Sequence, residues 1–286
     1  MATIILTDSA CDIRGIEIEK YNIKVIPLNV TFGKDNYKDG VDLTVDEFYK
    51  KLHEVSEFPR TSQPSPQDYV DIFEEAKKNG DEVVCLTISS GLSGTYQTAL
   101  LAKDIAEYDK IYVCDSLSCL TGLRCLVINA CKMRDDGLSA KEIFEKMEYL
   151  KHHIHMFSIV DSLEGFLKGG RMGKASYAVA SILNVKPFIT LNKEGKIIKN
   201  GQSLGYLKAY IVASGQTKKF PILPEYGVFY GYTEGEDKLD KFIEKTFKQF
   251  TSVKTYDKSR IGCAAGAHIG GGAVCMVYIS SQERND

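Results

Sequence analysis

The chain has no CxxC pair, no cysteine–histidine cluster and no apolar run approaching the ~20 residues of a membrane span. Each absence removes a class of protein. Eight cysteines, at 11, 85, 114, 119, 125, 131, 263 and 275, lack the spacing of a zinc site. Several sit in apolar runs, where cysteine acts as a small buried hydrophobe. No metal and no cofactor is therefore expected. The first residues, MATIILTDSACD, lack the basic stretch and apolar core of a secretory leader, so a cytoplasmic protein is expected. Net charge is only -2, with basic and acidic residues interleaved. Neither nucleic acid nor an anionic membrane surface is favoured as a partner. Low-complexity tracts and internal repeats are absent too. What remains is a 286-residue chain with room for two domains, each with its own core.

The first half alternates strand and helix signals. Thr3 to Leu6 and Ile23 to Val30 read as strands. Thr44 and Glu47 form a capping box ahead of the apolar face Phe48, Leu52 and Val55. Ser65 with Pro66 starts another helix, with Tyr69, Ile72, Phe73 and Ala76 on its buried face and Gly80 ending it. A strand from Glu82 to Ile88, a helix to about Tyr108 and a strand from Ile111 to Cys114 make a parallel βαβ unit. Ser139 and Glu142 give a further capping box.

The second half changes character. Phe188 to Lys199 reads as a β-hairpin turning at Lys193-Glu194-Gly195. Tyr226 to Tyr232 and Ala273 to Ser280 read as strands, and Asp237 to Phe250 as an amphipathic helix. The expected fold is thus α/β: a layered N-terminal domain over 1–158 with a mostly parallel sheet, then an α+β domain over 159–286 with a largely antiparallel one.

Four stretches carry candidate chemistry. In ISSGLSGTYQ, residues 88 to 97, hydroxyls and glycines lie between a buried strand and a helix, at the sheet edge where open α/β folds take ligands. Unpaired N–H groups at a helix start, with Ser93, Gly94 and Thr95, suit a carboxylate or phosphate. A nucleophilic Ser93 and a plain capped turn remain as alternatives. Gly91-Leu92-Ser93-Gly94-Thr95 departs from GxSxG, with Thr95 in place of the second glycine. Arg60 to Pro66, read alone, is a capped helix start. The run from Gly262 to Ala273 is rich in glycine and holds His268, either a satisfied interior residue or a donor beside an anion. Lys168-Gly169-Gly170-Arg171 sets two cations around a turn ahead of a helix over 174–183, for a phosphate or an acidic partner.

Taken in order, these stretches resemble the DegV family of bacterial fatty-acid-binding proteins. Thr7-Asp8-Ser9, Thr61-Ser62-Gln63-Pro64-Ser65-Pro66, Ile88 to Tyr96, Asp115-Ser116, Leu167 to Arg171, Asn184-Val185-Lys186-Pro187 and the run with His268 carry the resemblance. It implies one long-chain fatty acid held between two domains. Its carboxylate would be bound by Thr61 and Ser93, beside Ser62, Gly94 and Thr95, with His268 closing the site from the second domain. The resemblance further implies a non-catalytic carrier that presents the carboxylate to a separate ATP-dependent fatty acid kinase for acyl-phosphate formation in phospholipid synthesis; a monomer is the default expectation. Arg171 would lie at the mouth, towards the kinase or the phosphoryl group. The alternative is a serine-dependent lipid hydrolase or acyltransferase using Ser93 and His268. Two departures stand out: His268-Ile269-Gly270-Gly271-Gly272 replaces His-x-Gly-Pro-Gly, and Gln202 to Tyr206 replaces a basic stretch.

Overall fold

The structure, a computed structural model, describes residues 2–173 and 184–284. The helix expected over 174–183 lies outside them.

Strands β1 (Thr3–Asp8), β2 (Ile23–Ile26), β6 (Glu82–Thr87) and β7 (Ile111–Asp115) form a parallel sheet in the order β2-β1-β6-β7. Alternate residues face opposite sides, as the two-residue strand period requires. Leu6, Cys85 and Val113 pack on Tyr69 and Phe73 of α3 (Pro66–Asn79) and on Ala99 and Ala102 of α4 (Thr95–Ala106). Ile5, Val84 and Cys114 share the other core with Leu123 of α5 (Thr121–Asp135) and Ile143 of α6 (Ala140–Leu150). Helices on both faces explain why Val83 to Thr87 is buried without a break.

The second sheet has six strands: β10 (Ile197–Leu204), β9 (Val185–Leu191), β8 (Ile154–Ile159), β13 (Val274–Ile279), β11 (Val228–Tyr232) and β12 (Tyr256–Arg260), in that order. Every pairing is antiparallel except β11 with β12. Strand β8 runs across the 158/159 division and pairs with β13 and β9. One face of this sheet, with Phe157, Tyr230 and Met276, takes α8 (Gly205–Lys219) and α9 (Glu236–Thr246). The opposite face, with Met156, Phe229 and Val277, turns towards α5.

Helix α5 therefore lies between the two sheets, and every residue from Thr121 to Cys131 is buried. A helix covered all round has no single apolar stripe, so its period does not stand out in the sequence. Arg124, 1% exposed, joins it to Glu17 of α1 (Ile16–Tyr21) at 2.6 Å and to Asp257 of β12 at 2.6 Å. Both carboxylates satisfy a cation that would be costly to bury alone.

Several readings change. The strand read over Ile23 to Val30 splits at Pro27, which has no N–H for a ladder. Its second part becomes β3 (Asn29–Phe32), in a separate antiparallel sheet between β4 (Asp35–Lys38) and β5 (Arg60–Ser62). The segment Arg60 to Pro66, read as a helix start only, thus begins as a strand that carries Thr61 and Ser62. The glycine-rich run is helical over α10 (Cys263–Ile269). Gly266 is tolerated there because a Cβ would lie 2.7 Å from Phe48 and 2.8 Å from the Tyr49 hydroxyl. Lastly, α9 ends at Thr246, before a tighter turn over Phe247–Gln249. The capping boxes of Thr44 with Glu47 and Ser139 with Glu142 form as the spacing predicts, and Gly80 ends α3 at φ 72°.

Candidate functional site

Between the sheets lies an apolar cavity with an empty volume of about 570 Å³, part of it open to solvent. Leu28, Ile88, Leu92, Leu120, Phe166 and Ile269 line it, with Ile197 reaching in from β10. Thr61, Ser62, Ser93, Arg171 and His268 line the same cavity. Thr61, Arg171 and His268 also border a wider polar cleft with Arg60, Lys168 and Glu57. These three residues thus stand where oily interior meets solvent.

The Ser93 loop is fixed from below by two carboxylates at strand ends. Asp8, closing β1, accepts from Ile88 N at 2.7 Å and Ala10 N at 3.0 Å. Asp115, closing β7, accepts from Ser90 N at 3.0 Å and Leu117 N at 3.1 Å. Full burial pushes the Asp8 carboxyl up to about 7, against the pull of its two backbone donors. Ser89 is spent on structure: it is buried, and its Oγ donates to Gly195 O of the β9–β10 turn at 2.9 Å. A Cβ on Gly195 would meet that oxygen at 2.1 Å. The hairpin of the second sheet thus seats directly on the serine loop of the first.

Ser93 is half-buried, and its Oγ lies 2.8 Å from Thr95 Oγ1. Thr95 is fully buried, and neither it nor Gly94 lines the cavity. Their part is local. Thr95 orients Ser93, while Gly94 leaves room for the Gln63 side chain, whose Oε1 would sit 2.0 Å from a Cβ there. Gln63 in turn donates to Thr98 Oγ1 at 2.8 Å, tying the β5 segment to α4. Ser62 is exposed at the rim.

His268 reaches the site from the last turn of α10. Its Nε2 lies 2.8 Å from Thr61 Oγ1, so a side chain from each half of the sequence meets here. Its Nδ1 is buried without a partner of hydrogen-bond geometry. Burial, and then the Arg171 guanidinium, pull this imidazole down to about 4; the Gly165 carbonyl tempers the shift. Near neutral pH the ring is uncharged.

Missing side chains position it. A Cβ at Gly169 would lie 2.1 Å from His268 Nδ1, and one at Gly165 2.3 Å from His268 O. Two glycines four residues apart therefore let α7 (Glu164–Lys168) and the turn after it press against α10. Gly170, at φ 72°, then turns the chain so that Arg171 folds back. Arg171 donates from Nε to Leu92 O at 3.1 Å and from Nη1 to Gly169 O at 2.6 Å. Its Nη2 makes no hydrogen bond among the described residues.

The far end of α10 is held by carboxylates from the first half. Asp39 accepts from Cys263 N at 3.2 Å, Ala264 N at 3.3 Å and Ser9 Oγ at 2.9 Å. Asp12 accepts from Gly262 N at 2.9 Å and pairs with Arg14 at 2.8 Å. Negative groups at this end also oppose the helix dipole.

Comparison with known proteins fits this geometry. A family model described as an uncharacterised protein of the DegV family matches residues 2–281. The chain belongs to the DegV family. A DegV domain-containing protein of Caldanaerobacter subterraneus is 34% identical over 275 residues, covering 96% of this chain and 97% of the relative. Among solved structures, a DegV family protein from Thermus thermophilus, described for its fatty acid binding, superposes with a TM-score of 0.88 at 27% identity, covering 98% of this chain and 100% of that one. The Streptococcus pneumoniae fatty acid kinase B3 protein, loaded with linoleic acid, gives a TM-score of 0.85 at 23% identity over 98% of this chain and 100% of that one. At that identity the likeness is one of fold.

Sequence reading named the hydroxyls and the histidine of this DegV site but missed what holds them. Asp8 and Asp115 entered only as parts of matching motifs, and Asp39 not at all. The spacing of Gly165 and Gly169 was the available signal for a helix–helix close approach.

Proposed function

We propose that this protein binds one long-chain fatty acid, its tail in the apolar cavity and its carboxylate at Thr61, Ser93 and His268, and presents that carboxylate to a fatty acid kinase. The observation that carries the reading is the cavity itself, lined mainly by apolar side chains and bordered by the Thr61–His268 pair beside an open polar cleft. Ten buried methylenes contribute about 8 kcal/mol. The tail therefore provides most of the affinity, and the polar end fixes orientation. A carboxylate withdrawn from water needs donors. The hydroxyls of Thr61 and Ser93 supply them without a tight ion pair, which keeps the oxygens nucleophilic towards a phosphoryl group. Arg171, whose Nη2 makes no hydrogen bond among the described residues, suits the incoming phosphoryl group, as does the cationic character of Arg60 and Lys168.

A serine hydrolase would need a base on Ser93. Here Ser93 pairs with Thr95 and His268 with Thr61, and among the described residues no carboxylate orients the imidazole. The carrier reading is tested with carboxyl-¹³C-labelled palmitate. Ser93→Ala and Thr61→Val should each weaken binding about tenfold, the worth of a hydrogen bond to a charged group, and shift the bound carboxyl resonance. Unchanged affinity and an unmoved resonance in both variants would place the carboxylate elsewhere. With a reconstituted kinase, Ser93→Ala should abolish acyl-phosphate formation.

A further inference from the structure

A second cleft lies away from the acyl cavity, at the edge of the six-stranded sheet where β8, β9 and β10 meet the C-terminal end of α8. It has two connected parts. The outer, polar part has an empty volume of about 560 Å³ and is bordered by Arg284, Lys219, Asn200 and Gln216. The inner part, about 310 Å³, is walled by Phe157, Phe220 and Tyr278. His155 and Thr190 border both. Among the described residues, no carboxylate lines either part.

Arg284 is the anomaly. It is 4% exposed, yet no carboxylate pairs with it among the described residues. Its Nη1 donates to Leu117 O at 2.9 Å and its Nη2 to Lys151 O at 2.9 Å, while Nε has no partner. Two neutral carbonyls satisfy its hydrogen bonds, while Asp115, the carboxylate whose field reaches it, makes no ion pair with it among the described residues. A buried cation in that condition is costly and is normally paired. The other buried arginine, Arg124, has two carboxylates. Lys219, laid over the Phe220 ring at 5.1 Å, adds a second positive charge at the mouth, and His155 stacks on the same ring at 4.2 Å. His155 Nε2 is held by Gln282 O at 2.9 Å.

We infer that this cleft binds a small organic phosphate, its phosphate group compensating Arg284 and Lys219 and its ring or other flat apolar body entering between Phe220, Phe157 and Tyr278. The site is separate from Thr61, Ser93 and His268, so it stands or falls independently of the fatty acid reading. Its occupation supplies the missing negative charge. Burial first, and then the positive charges of Arg284 and Lys219, hold the His155 imidazole down to about 4, against the pull of Gln282 O.

The test uses the full chain with phenyl phosphate, inorganic phosphate and benzyl alcohol, followed by calorimetry and by amide shifts of His155, Asn200 and Gln216. Phenyl phosphate should bind at least tenfold more tightly than either fragment. Lys219→Gln, an exposed change that leaves the fold intact, should weaken it at least threefold, and Arg284→Gln more. Thr61→Val should leave it unchanged. Equal binding by wild type and Lys219→Gln, loss of binding in Thr61→Val, or no shift at these three amides with millimolar phenyl phosphate would each overturn the assignment.

Discussion

The two sides of the candidate site are built by opposite means. On the first-sheet side, backbone N–H groups of the Ser93 loop are captured by carboxylates at strand ends, Asp8 and Asp115. On the α7–α10 side, His268 is placed by what is absent, the side chains at Gly165 and Gly169. One side is held by polar bonds and the other by close backbone contact. The contrast predicts different failures. Losing an acceptor strands buried donors, whereas adding a methyl group moves the imidazole.

The largest effect is expected where both means meet, at the start of α10. Asp39→Ala leaves Cys263 N, Ala264 N and Ser9 Oγ without their acceptor and should cost about 3 kcal/mol in urea unfolding. Gly165→Ala should cost about 2 kcal/mol, since the new Cβ meets the backbone oxygen of His268. On the proposed function, fatty acid affinity should fall further than stability does, because the displaced residue would contact the head group. If Gly165→Ala were as stable and as tight-binding as wild type, the packing account of that side would be wrong.

Titration sharpens the comparison with a smaller signal. His268 has a folded pKa of about 4, below its ordinary 6.5. Its contribution to stability is complete above pH 6.5 and is lost as pH falls towards 4. Asp8 runs the other way: at about 7 in the fold against 3.8, its contribution is complete below pH 3.8 and is lost as pH rises towards 7. Histidine ring shifts should show His268 neutral down to about pH 4, and carboxyl ¹³C shifts should show Asp8 ionising near pH 7. The stability curve between pH 4 and 7 should then be flatter than either group alone would make it.

Legibility in the sequence followed the same divide. Elements whose signal is local were readable: the capping boxes at Thr44 and Ser139, the Ser65-Pro66 start and Gly80 stop of α3, and the hairpin turning at Gly195. Elements defined by surroundings were not. Helix α5 is buried on every side, so no stripe marks it. Helix α10 is glycine-rich because Phe48, Tyr49 and Arg14 crowd it, and no local pattern shows that. Strand β3 was merged with β2 because both read as apolar runs, and only Pro27 marked the break. The Ser93 hydroxyl was readable from its place between a buried strand and a helix start, whereas Thr61 came through the motifs it shares with relatives. The carboxylates beneath them act across 80 and 25 residues of sequence and needed coordinates.

Native mass spectrometry of the purified protein tests the central claim most directly, with wild type and the Thr61→Val variant incubated in equal palmitate. One retained acid per wild-type chain, and substantially less on the variant, is the predicted result. An empty wild-type chain, or equal retention by both, would contradict it.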